Sequence, residues 1–492
     1  MKLNDKRKNE EMKNKINNKN IILKILFIVF SIFLVVPSII YIIKNGTIMN
    51  FKIYYNFFLN NEINKVIPAI TFLLLFICIS IVYIILVKRK DSFKNIKQIM
   101  VFTSIIGIIF MFMMPWTSSD IFYYIGVGEL DGIYNQNPYY ITVKDYYTEN
   151  IENINDELLE KGAENGWSDT TVVYGPVAQL IFKICSTLSF KNIDMAIFLF
   201  KLINLLALLL STYLIYKITN KQIFTKIFAL NPFIFMEYIG NVHNDIILVL
   251  FVLISLYFLL KKKRIIPSIV FLGIATGIKY FTVLLLPVYI IYYFRKEENL
   301  GKRFAKCIQY GLLFILVLVA EYIIYFKDFS ILTAMLVQTE KYSKSIYSSA
   351  FVVMPNILKP LKFTLYIVFF IYYLKFCIDL LTTKKIRWNH IIRKYNMALI
   401  LFLLILGTFQ QWYIIWSFTC IMWQKPNMIR NIIGISLISE IANSVYMFNK
   451  ESYIYDIYFV EAIVIMILIW QIITNKNKIN RNKLKVIKKG EN

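Results

Sequence analysis

An acidic side chain stands where a long apolar run gives way to a hydrophilic stretch. Asp120 follows Ser118-Ser119 and precedes Ile-Phe-Tyr-Tyr, and apolar residues fill most of 99–114. A carboxylate at such a junction lies near the lipid headgroups and can take a proton from a substrate hydroxyl as a general base. The alternative is structural, because Ser119 and Asp120 also suit the N-cap of the helix-like run that follows. The sequence leaves both interpretations open.

Further polar groups interrupt or enter the later apolar runs. His243-Asn244-Asp245 separates two such runs, and His243 is one of only two histidines. Either the triplet caps a helix, with Asn244 as the N-cap, or it supplies acid–base and hydrogen-bonding groups to a site. Lys279 lies within the apolar run 265–294, where an unpaired charge costs roughly 3 kcal/mol. It needs an anionic partner, unless its side chain extends to the headgroups.

The elements that must position these groups are membrane helices. Of the 492 residues, 58% are hydrophobic and only 17% are charged, against roughly 25% charged in soluble domains. This composition excludes a soluble enzyme. The apolar runs show little of the alternation of an outer-membrane barrel, and backbone groups in lipid must be paired within each segment. We therefore predict an all-α, polytopic helical membrane protein.

The net charge of +25 comes from basic clusters that adjoin the apolar runs. The positive-inside rule predicts that these clusters are cytoplasmic anchors beside membrane lipids. No basic patch is interleaved with aromatics on a large loop, so no nucleic-acid partner is expected. The clusters are Lys88-Arg89-Lys90, Lys261-Lys262-Lys263-Arg264, Arg295-Lys296, Lys384-Lys385 and the tail around 483–489.

Basic loops and segment lengths together predict about 12–14 membrane segments, with both termini cytoplasmic. Two segments depart from simple alternation. Residues 173–188 are predicted to dip into the membrane or lie at its surface, because a crossing would place the later lysines outside. Residues 265–294 are predicted to form two short arms with a turn near Lys279, since Gly273 and Gly277 permit close packing.

The long stretch 116–172 is predicted to be an ordered external loop. It is strongly acidic, with Lys144 and Lys161 as its only lysines, and it is rich in Tyr and Ile. Loops of this length are usually functional or disordered, and aromatic residues favour order against the membrane surface. We expect this loop to carry the working surface of the protein.

An ordered set of short motifs resembles the membrane GT-C glycosyltransferases, above all the polyprenol-phosphate-mannose-dependent mannosyltransferases. The similarity runs from about Pro115 to Pro287, and each motif is weak by itself. The motifs are Asp120-Ile-Phe-Tyr-Tyr, Gly132-Ile-Tyr-Asn-Gln-Asn137-Pro138-Tyr139, Tyr174-Gly175-Pro176, Asn231-Pro232, His243-Asn244-Asp245 and Gly273-Ile-Ala-Thr-Gly277-Ile-Lys279.

The resemblance implies transfer of a hexose, mannose above all, from a polyprenyl-phosphate donor to an envelope glycan or lipid acceptor on the external face, with inversion. It implies that Asp120 is the catalytic base and that Lys279, His243 and Asp245 bind the donor phosphate. Asp245 alternatively orients His243 or replaces Asp120 as the base. The residues expected to contact sugar or acceptor are Tyr124, Asn137, Tyr139, Tyr174 and Trp412. A turn at Asn137-Pro138-Tyr139 and an aromatic membrane belt at Trp412 explain those residues equally well.

Four regions follow from this interpretation: 1–98 with two leading helices, 99–294 as the catalytic module, 295–474 as further membrane helices, and 475–492 as a basic cytoplasmic tail. No cofactor is expected, although a divalent metal stays an alternative because some GT-C relatives use one. The competing function is a transporter or flippase of a lipid-linked sugar, since broken helices and buried charges also surround transport sites. A non-catalytic scaffold is a third alternative.

Overall fold

The protein is described by a computed structural model covering residues 2–45, 66–115, 118–153, 155–332, 355–383, 387–405 and 410–448. Within these ranges the regular structure is entirely helical, which confirms the predicted all-α polytopic class. The predicted span at 457–474 and the tail 475–492 lie outside the described residues.

The helices are numbered in chain order. The first nine are α1 (Lys2–Asn45), α2 (Val66–Lys88), α3 (Ile96–Met111), α4 (Asp120–Gly132), α5 (Val143–Glu149), α6 (Glu157–Ala163), α7 (Pro176–Leu188), α8 (Ile193–Thr219) and α9 (Gln222–Ala229). The others are α10 (Pro232–Gly240), α11 (Asp245–Tyr257), α12 (Ile265–Thr276), α13 (Leu286–Tyr293), α14 (Leu300–Tyr322), α15 (Pro355–Thr382), α16 (Trp388–Ile405) and α17 (Pro426–Phe448). Short helical turns fill Gln411–Ile414, Ile415–Phe418 and Ile421–Trp423.

Five described helices are long and apolar enough to cross a membrane, and α9 with α10 adds a sixth if that pair, bent by 46°, is one span. Four other apolar helices are shorter: Ile96–Met111, Pro176–Leu188, Ile265–Thr276 and Tyr280–Tyr293. The forecast of about 12–14 segments counts such shorter helices as well as the region beyond 448, so that number stays a prediction.

The apolar run 265–294 is broken where the glycines and the lysine predict a break. Helix α12 ends at Thr276, Lys279 has an extended backbone with φ −145°, and the next helical turn begins at Tyr280. The break packs against the start of α7, because the N–H groups of Val177 and Ala178 donate to the Gly277 carbonyl at 2.9 and 3.2 Å. The prediction of two short arms is confirmed.

Helix α7 is too short to cross the bilayer by itself, because its 13 residues rise only about 20 Å against roughly 30 Å of hydrocarbon. One face packs on α4 through Phe182 and Cys185, whereas Leu180 and Ile184 on the other face are each 44% exposed. Such an amphipathic helix fits the expected position in or on the membrane surface.

Lys226 joins two segments whose relative placement was in question. Its ammonium donates to the carbonyls of Leu86 (3.1 Å) and Arg89 (2.7 Å) and to the Ser92 hydroxyl (3.0 Å). The end of α9 therefore lies beside the basic cluster that follows α2. Both belong to the same side of the membrane, as expected if α7 does not cross.

Lys201 is a buried lysine of α8 that binds backbone carbonyls. Its ammonium donates to the carbonyls of Met111 (3.2 Å) and Met113, beyond the last turn of α3. Carbonyls at a helix C-terminus have no partner within the helix, so a lysine there satisfies them and keeps its own donors occupied. The contact holds the segment that leads to Asp120.

Glu129 is a buried carboxyl that the sequence did not single out. It lies on α4 with 0% exposure, and neither oxygen has a hydrogen-bond partner among the residues described. Burial, with a smaller contribution from the Asp156 charge, raises its pKa to about 8. At neutral pH the carboxyl is therefore mostly protonated.

The backbones of Gly175 and Gly277 approach each other so closely that we expect no room for a methyl group on Gly175. A Cβ on Gly175 would lie 2.4 Å from the Gly277 carbonyl oxygen, so we expect Gly175→Ala to cost about 1–3 kcal/mol of stability. The matched control is Gly311→Ala in α14, where a Cβ meets nothing within 4 Å and helix propensity favours alanine by about 1 kcal/mol. Thermal unfolding in detergent compares the two, and equal midpoints would contradict the close approach.

The raised pKa of Glu129 predicts a pH-dependent gain in stability for Glu129→Gln. An unfolded glutamate ionises above its ordinary pKa, whereas the folded carboxyl stays neutral up to a pKa of about 8. The wild type therefore loses stability as pH rises between those two values, and the loss is complete above pH 8. Glutamine carries no such cost. Unfolding midpoints measured from pH 5 to 8.5 should diverge in favour of the variant, and parallel curves would refute the shift.

Candidate functional site

A small cavity collects side chains from segments that are far apart in the sequence. Asp120 contributes the first residue of α4, residues 167–174 form a second wall, and residues 410–413 form a third. The described residues lining it are Asp120, Tyr123, Trp167, Thr170, Val173, Tyr174, Gln410, Trp412 and Tyr413. One carboxylate thus faces a space bounded mainly by aromatic rings, as in many binding sites for small ligands.

Asp120 faces the cavity and does not act as a helix cap. Ser119 occupies the N-cap position of α4 without a side-chain hydrogen bond, and its carbonyl accepts from the Asn165 amide at 2.7 Å. The side chain of Asp120 remains 18% exposed. The pair therefore lies at the helix start, as the capping interpretation expects, but no side-chain cap forms there, and the carboxylate stays partly accessible.

His243 lies behind the cavity, between two carboxylates. Its Nδ1 is 3.7 Å from Asp120 Oδ2, and its Nε2 is 3.1 Å from Glu237 Oε2. The ring stacks on Trp412 with centroids 3.7 Å apart and planes at 15°. The imidazole is fully buried and does not line the cavity, whereas its neighbours Asp120 and Trp412 do.

The backbone before His243 adopts an unusual conformation. Val242 has φ 67°, a left-handed value that a β-branched residue rarely adopts. The carbonyl of His243 accepts from the Asn204 amide of α8 at 3.0 Å. The surrounding packing compensates for this local strain, which is commonly found at functional sites.

Asp245 does more than complement a helix dipole. Its two oxygens accept from the Lys279 ammonium at 2.8 and 2.9 Å, and Oδ1 also accepts from Trp416 Nε1 at 2.7 Å. Asn244 stands at the N-cap of α11, but its side chain makes no capping hydrogen bond. The triplet therefore lies where the capping interpretation predicts, with Asp245 in the first turn of α11, although the Asn244 side chain forms no cap and Asp245 also binds Lys279.

Lys279 obtains its required anionic partner from Asp245. The ammonium also lies over three rings, at 4.5 Å from the Tyr413 centroid, 5.7 Å from Tyr174 and 5.8 Å from Trp416. Its side chain is 13% exposed. One carboxylate and several ring faces thus surround the ammonium in a largely dry environment.

Two of the five residues expected to contact sugar or acceptor line the cavity, namely Tyr174 and Trp412. The other three stand one layer behind. The Tyr124 hydroxyl hydrogen-bonds that of Tyr174 at 3.2 Å, and the Tyr139 hydroxyl donates to the Tyr174 carbonyl at 2.9 Å. The Asn137 amide donates to the Tyr325 carbonyl at 2.7 Å. Tyr124 and Tyr139 thus support the wall that Tyr174 presents, whereas Asn137 binds the backbone at Tyr325.

The sequence reasoning missed part of the lining. Tyr123, Trp167, Thr170 and Gln410 were not assigned a role, although they border the same space. In a chain with 16% aromatic residues, no spacing distinguishes a cavity ring from a packing ring. Glu237 was noticed only as an intramembrane charge, because its proximity to His243 depends on the bend between α9 and α10.

The protonation states of the lining groups select one candidate base. Burial, above all other causes, raises the pKa of Tyr123 and Tyr174, so both phenols stay protonated and act as hydrogen-bond donors. Asp120 is the only carboxylate among the described lining residues. No three metal-ligating side chains cluster within the described ranges, and metal dependence stays a prediction.

Comparison with known proteins identifies one family and one relative. A family model described as "Alpha-(1->6)-mannopyranosyltransferase, N-terminal domain" matches residues 44–295, about half of the chain. The chain is also 26% identical over 185 residues to a Corynebacterium glutamicum protein named Alpha-(1->6)-mannopyranosyltransferase A. That match covers 36% of this chain and 35% of the relative, so the chain spans about a third of the relative's length. No solved structure matches.

The ion pair between Asp245 and Lys279 predicts an asymmetric mutational response. Lys279→Met leaves the fully buried Asp245 without its cation, which we expect to cost about 3–5 kcal/mol. Adding Asp245→Asn should recover much of that loss, because no unpaired charge then remains. Lys161→Met, which breaks the exposed Lys161–Glu164 pair, is the control and should change stability by at most about 1 kcal/mol. Unfolding in detergent measures all three, and additive losses in the double variant would count against the pairing.

Proposed function

Because this chain belongs to the alpha-(1->6)-mannopyranosyltransferase family, we propose that it is a membrane glycosyltransferase that transfers mannose from a polyprenyl-phosphate donor. The acceptor is a hydroxyl of an envelope glycan or lipid on the external face. The observation that carries this proposal is the position of Asp120, an accessible carboxylate in a cavity lined by aromatic rings.

Asp120 acts as a general base in a single displacement. The acceptor hydroxyl enters the cavity and gives its proton to the carboxylate, while its oxygen attacks the anomeric carbon. The bond from that carbon to the phosphate oxygen breaks, and the polyprenyl phosphate leaves with the electron pair. One displacement inverts the anomeric configuration, as expected when the carboxylate serves as base and not as nucleophile.

Lys279 supplies the positive charge for the leaving phosphate. An ammonium has three N–H donors, and the two oxygens of Asp245 account for two of its hydrogen bonds. The remaining donor is available to a phosphate oxygen in the partly accessible space beside Tyr413. A phosphate ester leaves as a weak base, so positional and electrostatic support suffices and no general acid is needed. Asp245 thereby orients the donor-binding lysine, and His243 supports Asp120.

The aromatic walls suit a sugar between the two charged groups. Trp412 and Tyr413 form one side of the cavity and Tyr174 the other. Flat rings bury the apolar faces of a ligand, while the protonated Tyr174 and Tyr123 hydroxyls and the Gln410 amide offer hydrogen bonds that fix its orientation. This lining suits contact with the hydroxyl groups and apolar face of a sugar.

The length of α11 supports an external location. Asp245 begins this helix beside the cavity, and a further helical turn continues it to Lys262 in the basic cluster. This distance corresponds to about 25 Å along the helix axis, close to the thickness of the hydrocarbon core. If the basic cluster is cytoplasmic, as the positive-inside rule predicts, the cavity opens toward the other side.

Replacing Asp120 by Asn tests the proposed base. We expect the variant to fold and to bind donor, but to lose transfer by about 10²- to 10⁴-fold, the usual contribution of general base catalysis. The assay offers purified protein a panel of polyprenyl-phosphate sugars with membrane extract as acceptor. The matched control is Asp145→Asn, an exposed carboxylate in the same loop region, which should keep wild-type turnover.

Two outcomes would overturn the proposal. Wild-type turnover by the Asp120→Asn protein would remove the base. Movement of a labelled lipid-linked sugar across liposomes, without any glycosidic product from the wild type, would establish a transporter in place of a transferase.

A further inference from the structure

A second carboxyl group extends the site behind His243. Glu237 lies in the last turn of α10 with 0% exposure, and its Oε2 is 3.1 Å from His243 Nε2. The Asn241 amide also reaches this oxygen, at 3.3 Å. Glu237 further hydrogen-bonds Glu440 of α17, which is equally buried. Asp120, His243, Glu237 and Glu440 therefore form a continuous chain from the cavity into the protein.

The Glu237–Glu440 contact contains one proton. A hydrogen bond between two carboxyl groups requires that one of them carry the donor hydrogen, and two adjacent buried carboxylates repel each other strongly. The pair therefore holds one negative charge. This charge lies beside the imidazole of His243, whose Nε2 is 3.1 Å from Glu237 Oε2.

The approach of Glu237 to Nε2 of His243 favours one tautomer of the ring. In a neutral imidazole one nitrogen donates and the other accepts. Because Nε2 lies 3.1 Å from Glu237 Oε2, the tautomer that carries its hydrogen on Nε2 would place it beside this carboxyl and leave Nδ1 unprotonated, 3.7 Å from Asp120 Oδ2. Catalytic hydrogen bonds are often this long before substrate binds. The imidazole is then ready to accept a proton from Asp120.

We propose that Glu237, backed by Glu440, is a positioning residue that sets the tautomer of His243 and stabilises the imidazolium formed when His243 receives the substrate proton. This inference rests on the proposed transferase. The acceptor hydroxyl gives its proton to Asp120, Asp120 gives it to Nδ1, and the ring holds it next to the anionic carboxyl pair. Asp120 is thereby restored as a carboxylate, and no other group changes its covalent bonds. After product release the proton returns through Asp120 to the cavity.

The surroundings of His243 are consistent with this role for Glu237. Among the described residues, the acids near the ring or its neighbours include Asp120 from α4, Glu237 from α10, Asp245 from α11 and Glu440 from α17, and the Tyr238 phenol lies close to the last three. Asp245 is paired with Lys279. Trp412 covers one face of the ring and keeps water from it.

Replacing Glu237 by Gln tests the charge while keeping the shape. The amide oxygen still accepts from Nε2–H, but the negative charge is lost, so we expect kcat to fall by roughly 10²-fold with KM nearly unchanged. Glu237→Asp keeps the charge and should restore most of the lost kcat.

Glu129→Gln is the matched control for the kinetic test, because it replaces another fully buried carboxyl outside the chain of groups. Its turnover should equal that of the wild type. A loss of kcat in Glu237→Gln that Glu237→Asp fails to restore would reduce Glu237 to a packing residue and overturn the inference.

A spectroscopic measurement separates this inference from the proposed function. The protein has two histidines, so His390→Gln, which removes an exposed side chain, leaves one imidazole to observe by 15N solid-state NMR. We expect a protonated Nε2 and an unprotonated Nδ1 at neutral pH. The opposite tautomer would overturn the inference even if the enzyme is active. The expected tautomer in a protein without transfer activity would instead show that the proposed function has failed.

Discussion

The buried ion pair between Lys279 and Asp245 determines how the site is built. A lysine inside an apolar hairpin is stable only with an anion beside it, and Asp245 provides that anion from the start of another helix. The pair therefore fixes the break after α12 against the beginning of α11. Trp416 donates to the same carboxylate, which adds a segment from much later in the chain. Three separate segments share one electrostatic requirement.

The cavity follows from that arrangement. Once Trp416 is held at Asp245, the adjoining turn places Trp412 against His243 and Tyr413 over the Lys279 ammonium. The remaining wall comes from the loop that carries Tyr174, which is supported by the hydroxyls of Tyr124 and Tyr139. Asp120 completes the space. Lys201 binds the Met111 carbonyl and Asn165 binds the Ser119 carbonyl, so both contacts fix the backbone that precedes Asp120. Charge pairing thus comes first, and the aromatic rings pack around it.

Much of the architecture could be predicted from the sequence. Apolar run lengths predict the helical class, and Gly273, Gly277 and Lys279 predict the broken hairpin. Alternation of basic loops predicts that α7 does not cross. These features depend on local composition and on the cost of charge in lipid, which a linear sequence shows directly.

Pairing between distant segments could not be predicted in the same way. Lys201 satisfies carbonyls beyond α3 and pairs with no acid, and the burial of Glu129 depends on how α4 packs. Tyr139 supports a wall and Asn137 binds the backbone at Tyr325, where the sequence suggested contact with sugar. The contact of Trp416 with Asp245 involves a residue beyond the region of family similarity. Predicting any of these contacts requires knowledge of which helix ends lie together.

The contact between Trp416 and Asp245 has a consequence for the order in which the site forms during translation. The groups that carry charge, from Asp120 to Lys279, are translated early, whereas Trp412, Tyr413 and Trp416 emerge only after several further helices have been made. Until then the Asp245–Lys279 pair lacks its indole donor and His243 lacks its stacking ring. The nascent chain consequently completes the walls of this cavity only late in its synthesis.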